Sequence, residues 1–312
     1  MRVLPLCVVF GGWLAMPAFA ADAESWMNDL AQAERTQSYA GTFVYERNGS
    51  FSSHAIWQRV DDGHIHERLL QLDGAAAEVV RLDGQVQCAS DGLAAQIKQR
   101  RTWDDRHIDV QALSEWYEFR VIGDSRIAGR AAVALGVLAK DQHRYSFELH
   151  VDRDTALPLK SLMLSDSGQL LERFQFTQLL PGAVDAQLVQ PGSTCKAVTL
   201  EPAATSKPST AWRSDWLPPG FELQDADVRP SPASKESVSW LSFSDGLASF
   251  SVFLEPLRGA VVTDARSQMG PTVSVSKRIS TPDGDVMVTV VGEVPLGTAE
   301  RVALSMRSAV QQ

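Results

Sequence analysis

The chain has 312 residues and a mass of 34.1 kDa, with 44% apolar, 21% charged and 8% aromatic residues. That composition excludes long disorder, collagen-like repeats and a coiled-coil rod, and the length admits one large domain or two ordinary ones. A net charge of −9 and a pI near 5.2 argue against a general nucleic-acid binder, which is normally basic.

The chain opens with an export address. Arg2 supplies a short positive start, Leu4 to Leu14 is mostly apolar, and Ala18-Phe19-Ala20 offers the small residues of a cleavage site. The apolar stretch is too short to span a bilayer, which takes about 20 residues. A secretory signal peptide over 1–20, cleaved after Ala20, accounts for all three features. Cys7 lies inside the apolar stretch, so no lipoprotein anchor is read. Loss of Arg2 leaves 28 basic against 38 acidic residues, a mature charge of −10. The mature chain keeps Cys88 and Cys195, which in an oxidising compartment either pair or stand as two separate thiols.

A helix is expected from Ala23 to about Gln37, with Ala23, Trp26, Met27, Leu30 and Ala33 at helical spacing. Strands follow. Asp-Gly pairs begin at Asp62, Asp73, Asp83, Asp91, Asp245 and Asp283, and each favours a tight hairpin turn. Between the turns the chain alternates, as at Thr42-Phe43-Val44-Tyr45, at Tyr145, Phe147, Leu149 and Val151, and at Leu170, Phe174 and Phe176. Period-two runs of this kind predict an antiparallel sheet with one buried face. A helix within 108–118 is weakly signalled.

The stretch from Glu201 to Ala211 has two prolines and no aromatic residue and reads as a linker. It separates a first domain, 21–200, from a second, 212–312. The second opens with Trp216-Leu-Pro-Pro-Gly-Phe221. It continues with alternating runs Val238–Phe243 and Leu247–Glu255, then 272–280 and 285–291 joined at Asp283, and a helix from Thr298 to Val310 with Thr298 as N-cap.

Catalytic patterns are scarce. Ser-x-x-Lys occurs at Ser193–Lys196 and Ser274–Lys277 without its companion motifs. His64 and His66 share a strand face but lack a third ligand, so no metal or cofactor is expected. Asp104-Asp105 and the pair Asp152/Asp154 suit turns. Trp103–His107 reads as a binding loop or as a loop with one buried anchor.

His150-Val-Asp-Arg-Asp-Thr-Ala-Leu-Pro-Leu-Lys160, with Asp166-Ser-Gly168 and Phe174-Gln-Phe176, resembles the lipoprotein carriers of the Gram-negative periplasm, LolA and LolB. It spells strand, turn, strand, turn, strand, with Asp152 to Thr155 as the first turn and Pro158 re-entering the sheet near an edge. Tyr39–Gly49, Glu67–Gly74 and Val86-Gln-Cys88 resemble the MucB/RseB family of envelope-stress regulators. So do Trp216–Phe221, Phe243–Pro256 and Val291-Gly-Glu-Val-Pro295. Ser52–Trp57 and Gln99–His107 depart from that family's pattern.

The resemblance implies a mainly β protein with few helices: a large, unclosed, curved antiparallel half-barrel beside a smaller antiparallel sheet with a C-terminal helix. It implies a periplasmic, non-enzymatic regulator that binds the periplasmic part of an RseA/MucA-type anti-sigma factor and shields it from the first regulatory protease. Lipopolysaccharide or a mislocalised lipoprotein would release that shield. Phe43, Tyr45, Trp57, Tyr145, Phe147, Phe174 and Phe176 are the candidate lipid-binding residues, at about 0.8 kcal/mol per buried CH₂, or else ordinary core. Trp240, Phe243, Phe250 and Phe253, in the hairpin from Val238 to Pro256, are the candidate anti-sigma contacts. Val238 and Trp240 lie on one face of it and Leu241 and Phe243 on the other. The linker at 201–211 would serve as a hinge. A lipid or lipoprotein carrier, an exported hydrolase using Ser274 and Lys277, a polysaccharide-binding module and a homo-oligomer remain open.

Overall fold

The computed structural model describes residues 18–75, 77–90, 108–198, 211–230, 237–260 and 262–308. The first domain begins with helix α1 (Ala18–Thr36) and strands β1 (Tyr39–Arg47), β2 (Ser50–Asp61), β3 (His64–Gln71), β4 (Glu78–Leu82) and β5 (Gln85–Ala89). Helix α2 (Val110–Trp116) then leads into β6 (Tyr117–Ile127), β7 (Arg130–Ala139), β8 (Ser146–Asp152), β9 (Pro158–Leu164), β10 (Leu170–Pro181) and β11 (Lys196–Ala197). These eleven strands form one antiparallel sheet in the order β11-β5-β4-β3-β2-β1-β10-β9-β8-β7-β6. The two ends do not meet, so the sheet is unclosed.

Tight turns set the registers. Asn48-Gly49, Asp62-Gly63, Asp83-Gly84 and Ala128-Gly129 are all pairs with positive φ, the geometry of two-residue hairpins whose twist matches the strands. Asp109 accepts from the Ala112 amide at 3.0 Å and starts α2, inside the weakly signalled window.

One face of the sheet, here the inner face, carries both helices. The stripe Ala23, Met27 and Leu30 of α1 packs with Val110 and Leu113 of α2 and with Tyr117, Phe119, Val133, Leu135, Val137 and Val151 of the sheet. Ala33 continues the stripe onto Tyr39, Phe43, Ile56 and Phe176. A disulfide joins Cys88 on β5 to Cys195, just before β11.

The second domain contains β12 (Trp212–Ser214), β13 (Glu222–Pro230), β14 (Ser237–Ser244), β15 (Ser249–Pro256), β16 (Ala265–Met269), β17 (Thr272–Thr281), β18 (Gly284–Gly292), helix α3 (Leu296–Ser305) and β19 (Met306–Ser308). Six strands form a sheet in the order β13-β14-β15-β18-β17-β16, and β12 pairs with β19. Ala299, Val302 and Ala303 of α3 cover Leu241, Phe243, Phe250, Val252, Val275, Val288 and Val290.

Several expectations need correction. The last helix ends at Ser305, because the chain turns extended at Met306 to pair with β12. Its N-cap is Pro295, and Thr298 is a buried residue of the first turn. Pro158 begins β9, which lies between β8 and β10 in the sheet interior; a proline is tolerated there as the first residue of a strand. Asp91, the stretch 99–107 with Trp103, Asp104 and Asp105, and the linker up to Thr210 lie outside the described residues.

Candidate functional site: the inner face and the domain junction

Strand alternation decides which aromatic residues meet. Phe43 on β1 sits opposite Phe176 on β10 and His54 on β2, while Tyr45 sits opposite Phe174. Their ring centroids lie 4.6 Å apart for Phe43–Phe174, 5.9 Å for Phe43–Phe176 and 5.1 Å for Phe174–Phe176. His54 stacks on Phe43 at 5.0 Å and 15°. Three of the seven lipid candidates therefore form one cluster with a histidine that sequence reasoning missed. The spacing of Ser52, His54 and Ile56 against Phe43 would have found it. Burial keeps the His54 imidazole below its ordinary pKa, and its Nδ1 is buried without a hydrogen-bond partner.

The other four candidates lie elsewhere. Tyr45 flanks the cluster and donates its hydroxyl to Glu172. Trp57 is a correction: it pairs with Ala40 and Arg68 on the outer face of the sheet, with the Arg68 guanidinium 5.3 Å from its ring. Phe147 and Tyr145 pack with Met163 and Leu171 toward the second domain. The Tyr145 hydroxyl donates to the Val294 carbonyl across the junction at 3.0 Å, and burial raises its pKa to about 12. The aromatic cluster is packed on itself in this conformation. The two clefts described at the surface, of about 400 and 260 Å³, are lined by none of the seven.

The docking candidates are also sorted by burial. Phe243 and Phe250 stack at 5.2 Å inside the core under α3, and Trp240 on the opposite face is 3% exposed. These three hold the domain together, which leaves Phe253 as the half-buried member of the set.

The domain junction is built around Arg144, in the turn between β7 and β8. Its Nη1 lies 2.6 Å from Asp245 Oδ2, and both side chains are fully buried. Nε and Nη2 reach Asp141 at 3.2 and 3.1 Å, and Nη2 also donates to the Pro219 carbonyl. The guanidinium lies 5.3 to 5.5 Å from the rings of Phe221, Trp116 and Tyr117. Asp245 is satisfied in turn: Oδ2 accepts the Tyr117 hydroxyl at 3.2 Å, and Oδ1 accepts the Leu247 and Ala248 amides at 2.9 and 2.7 Å. Burial, then the Asp245 charge, holds the Tyr117 hydroxyl well above its ordinary pKa. Around this centre, Arg47 meets Thr272 and Glu293, and His143 meets Thr298.

The three second-domain motifs singled out in the sequence thus share one place. Trp216–Phe221 supplies Pro219 and Phe221, Phe243–Pro256 supplies Asp245 and Leu247, and Val291–Pro295 supplies Glu293 and Val294. Ser274 and Lys277, by contrast, do not form a nucleophile and base. They are three residues apart on β17, hence on opposite faces, and Lys277 is engaged by Asp264 and Glu300. His64 pairs with Asp83 at 2.8 Å, and no metal-ligand cluster occurs among the described residues.

Comparison with known proteins places this architecture. Residues 22–202 match the family model of the MucB/RseB N-terminal domain, and residues 206–307 match that of the MucB/RseB C-terminal domain. The chain is 59% identical over 310 residues to the sigma factor AlgU regulatory protein MucB of Pseudomonas aeruginosa, covering 98% of each chain. It is 29% identical over 298 residues to the sigma-E factor regulatory protein RseB of Escherichia coli K12, covering 92% of this chain and 91% of that one. Two solved structures of MucB with MucA superpose with TM-scores of 0.84 and 0.86 at 58% and 59% identity, each covering 93% of this chain and all of the other. A structure of MucB alone gives 0.67 at 57% identity, covering 92% and 98%. With both domains matched along their length, the chain belongs to the MucB/RseB family of sigma-factor regulatory proteins.

Proposed function

We propose that this protein, exported to the periplasm, binds the periplasmic segment of a MucA-type transmembrane anti-sigma factor and shields it from regulated proteolysis, so that the envelope-stress sigma factor stays captive. The observation that carries this reading is the whole-chain match, at TM-scores of 0.84 and 0.86, to MucB in complex with MucA. Both domains take part, since their relative placement is specified by a buried ion pair and a set of junction hydrogen bonds. Such a regulator works by occupancy.

The inner-face cluster of Phe43, His54, Phe174 and Phe176 is the proposed acyl-chain sensor, reached when α1 moves off the sheet. Lipid binding in the family's sense would then compete with the packed arrangement described above, and reciprocity requires that the anti-sigma segment weaken lipid binding by the same factor. The decisive experiment mixes the mature protein with a purified periplasmic anti-sigma fragment and a site-one protease. Cleavage is expected to be blocked, and to resume when lipopolysaccharide is added. Unimpeded cleavage at saturating protein would overturn the reading.

A further inference from the structure

The chain contains two asparagines, Asn28 and Asn48, and they stand in opposite surroundings. Asn28 lies inside α1, where its Nδ2 donates to the Glu24 carbonyl at 2.9 Å and the next backbone amide belongs to the helix. Asn48 is followed by glycine and forms the two-residue turn between β1 and β2, with φ of 53° at Asn48 and 71° at Gly49. Both turn residues are exposed, and the strands pair on either side of them at Arg47 and Ser50. Among the described residues no hydrogen bond holds the Asn48 side chain or the Gly49 amide. Nothing lies within 4 Å of where a Cβ on Gly49 would stand. A nucleophilic backbone nitrogen and a side-chain carbonyl are thus adjacent, unbonded and unshielded, and glycine puts no side chain in the way.

We propose that Asn48-Gly49 is a site of spontaneous modification, at which the asparagine amide is lost through a cyclic imide and a new carboxylate loosens the seat of the second domain. The Gly49 nitrogen attacks Asn48 Cγ and gives up its proton. The Cγ–Nδ2 bond breaks, and Nδ2 leaves as ammonia with that proton. Water then opens the five-membered ring. Cleavage of the new bond at Cγ gives aspartate, and cleavage at the original backbone carbonyl gives isoaspartate, whose main chain runs through Cγ. Either route exchanges ammonia for water and adds one negative charge. The Asp-Gly turns can close the same ring, but they end with the charge they began with.

The position gives the reaction a consequence. The turn between β16 and β17 of the second domain rests on this hairpin. Gly270 there has φ of +59°, and a Cβ on it would lie 3.1 Å from Arg47 Cγ and 3.4 Å from the Asn48 nitrogen. Arg47 reaches across to Thr272 and, at 3.2 Å, to Glu293. Asn48, Glu46, Glu172 and Gln268 line one cleft of about 400 Å³ between the domains. A carboxylate at position 48 adds a like charge to Glu46 and Glu172. Isoaspartate also lengthens the backbone of a turn whose length sets the β1–β2 register. Both changes weaken the contact of Gly270 and Arg47 across the junction.

The test incubates the mature full-length protein at pH 8 and 37 °C and follows position 48 by mass spectrometry after cleavage with a glutamate-specific protease at pH 4. A gain of one mass unit is expected at Asn48 and none at Asn28. Enzymatic methylation of isoaspartyl carboxyls should label the same peptide. The native rate should lie within about tenfold of that in urea, because an exposed turn opens at little free-energy cost. Asn48→Gly keeps a favoured Gly-Gly turn and should gain no mass. The converted fraction, separated by anion exchange, should be cut between the domains at least about threefold faster than fresh protein. An Asn48 that stays intact in the native protein while the urea-unfolded chain converts would overturn the site, as would equal conversion at Asn28. Identical cleavage of converted and fresh protein would overturn the effect on the junction.

Discussion

Arg144 of the first domain and Asp245 of the second form a fully buried ion pair at 2.6 Å, and every other hydrogen-bonding direction of both groups that the structure records is spent within the junction. A buried charge that loses its partner costs about 3–5 kcal/mol. Arg144→Met should therefore open the junction, because it strands Asp245. Asp245→Asn should do less, since the amide oxygen still accepts the Leu247 and Ala248 amides. The double variant strands no charge, and its cost should fall below the sum of the two singles, a coupling that a double-mutant cycle reads directly. Solution scattering should show an enlarged radius of gyration for Arg144→Met, with at least tenfold weaker binding of the anti-sigma fragment. Unchanged scattering and binding would show that the pair does not set the arrangement.

Gly220 explains why the Trp216–Phe221 motif ends as it does. Its φ is +82°, and a Cβ there would lie 2.3 Å from the Trp116 ring of the other domain. Only glycine combines the left-handed backbone with that approach. Gly220→Ala should push Trp116 away and displace Phe221 from the Arg144 guanidinium. Each domain should keep its own stability while the contact between them weakens. Limited proteolysis between the domains, faster in the variant with unchanged domain melting, is the expected outcome.

Much of this was legible in the chain. Asp62-Gly63 and Asp83-Gly84 marked hairpins because glycine supplies positive φ, and the α1 stripe marked the face on which the helix lies. Ala128-Gly129 makes the same turn with a residue that rarely adopts it, so no local signal announced it. Alternation put Phe43 and Tyr45 on one face correctly. It could not place Trp57, because facing depends on register across β1 and β2. The junction was invisible for a stronger reason. Arg144 and Asp245 stand 101 residues apart, and each alone looks like a solvated charge in a turn. The motifs of the second domain were visible as motifs, but only the fold shows that they converge on one arginine. The disulfide, left open by composition, is decided by β5 and the strap before β11 coming within 5.4 Å at their Cα atoms.

Trp57 and Phe174 distinguish the two faces of the large sheet. If the inner face is the acyl sensor, Phe174→Ala removes a cluster ring and should change the affinity for a fatty-acid probe. Its stability cost should stay near or below the lower end of the roughly 3–5 kcal/mol of a fully buried phenylalanine, because Phe174 is only half buried. Trp57→Ala, on the outer face against Arg68, should leave probe affinity unchanged within twofold. Equal losses from both variants in a fluorescence titration would mean that the ligand does not discriminate the faces and that the inner cluster is plain core.

Acid should loosen the turn between β8 and β9. Burial alone would raise the Asp152 carboxyl. The Arg130 guanidinium, the Thr155 hydroxyl and the Asp154 amide outweigh it and hold the group below its ordinary 3.8. A depressed native value contributes stability that is present above pH 3.8 and is lost as pH falls through the folded value. Urea midpoints of the first domain should therefore collapse only below about pH 4. Asp152→Asn should cost about 2–4 kcal/mol at neutral pH, at the lower end for a buried pair because Arg130 keeps some contact with water. The variant should also lose most of the collapse, since the titrating group is gone. A wild-type profile that falls already at pH 5, or an Asp152→Asn variant with the same acid midpoint, would assign the acid limit to another carboxylate.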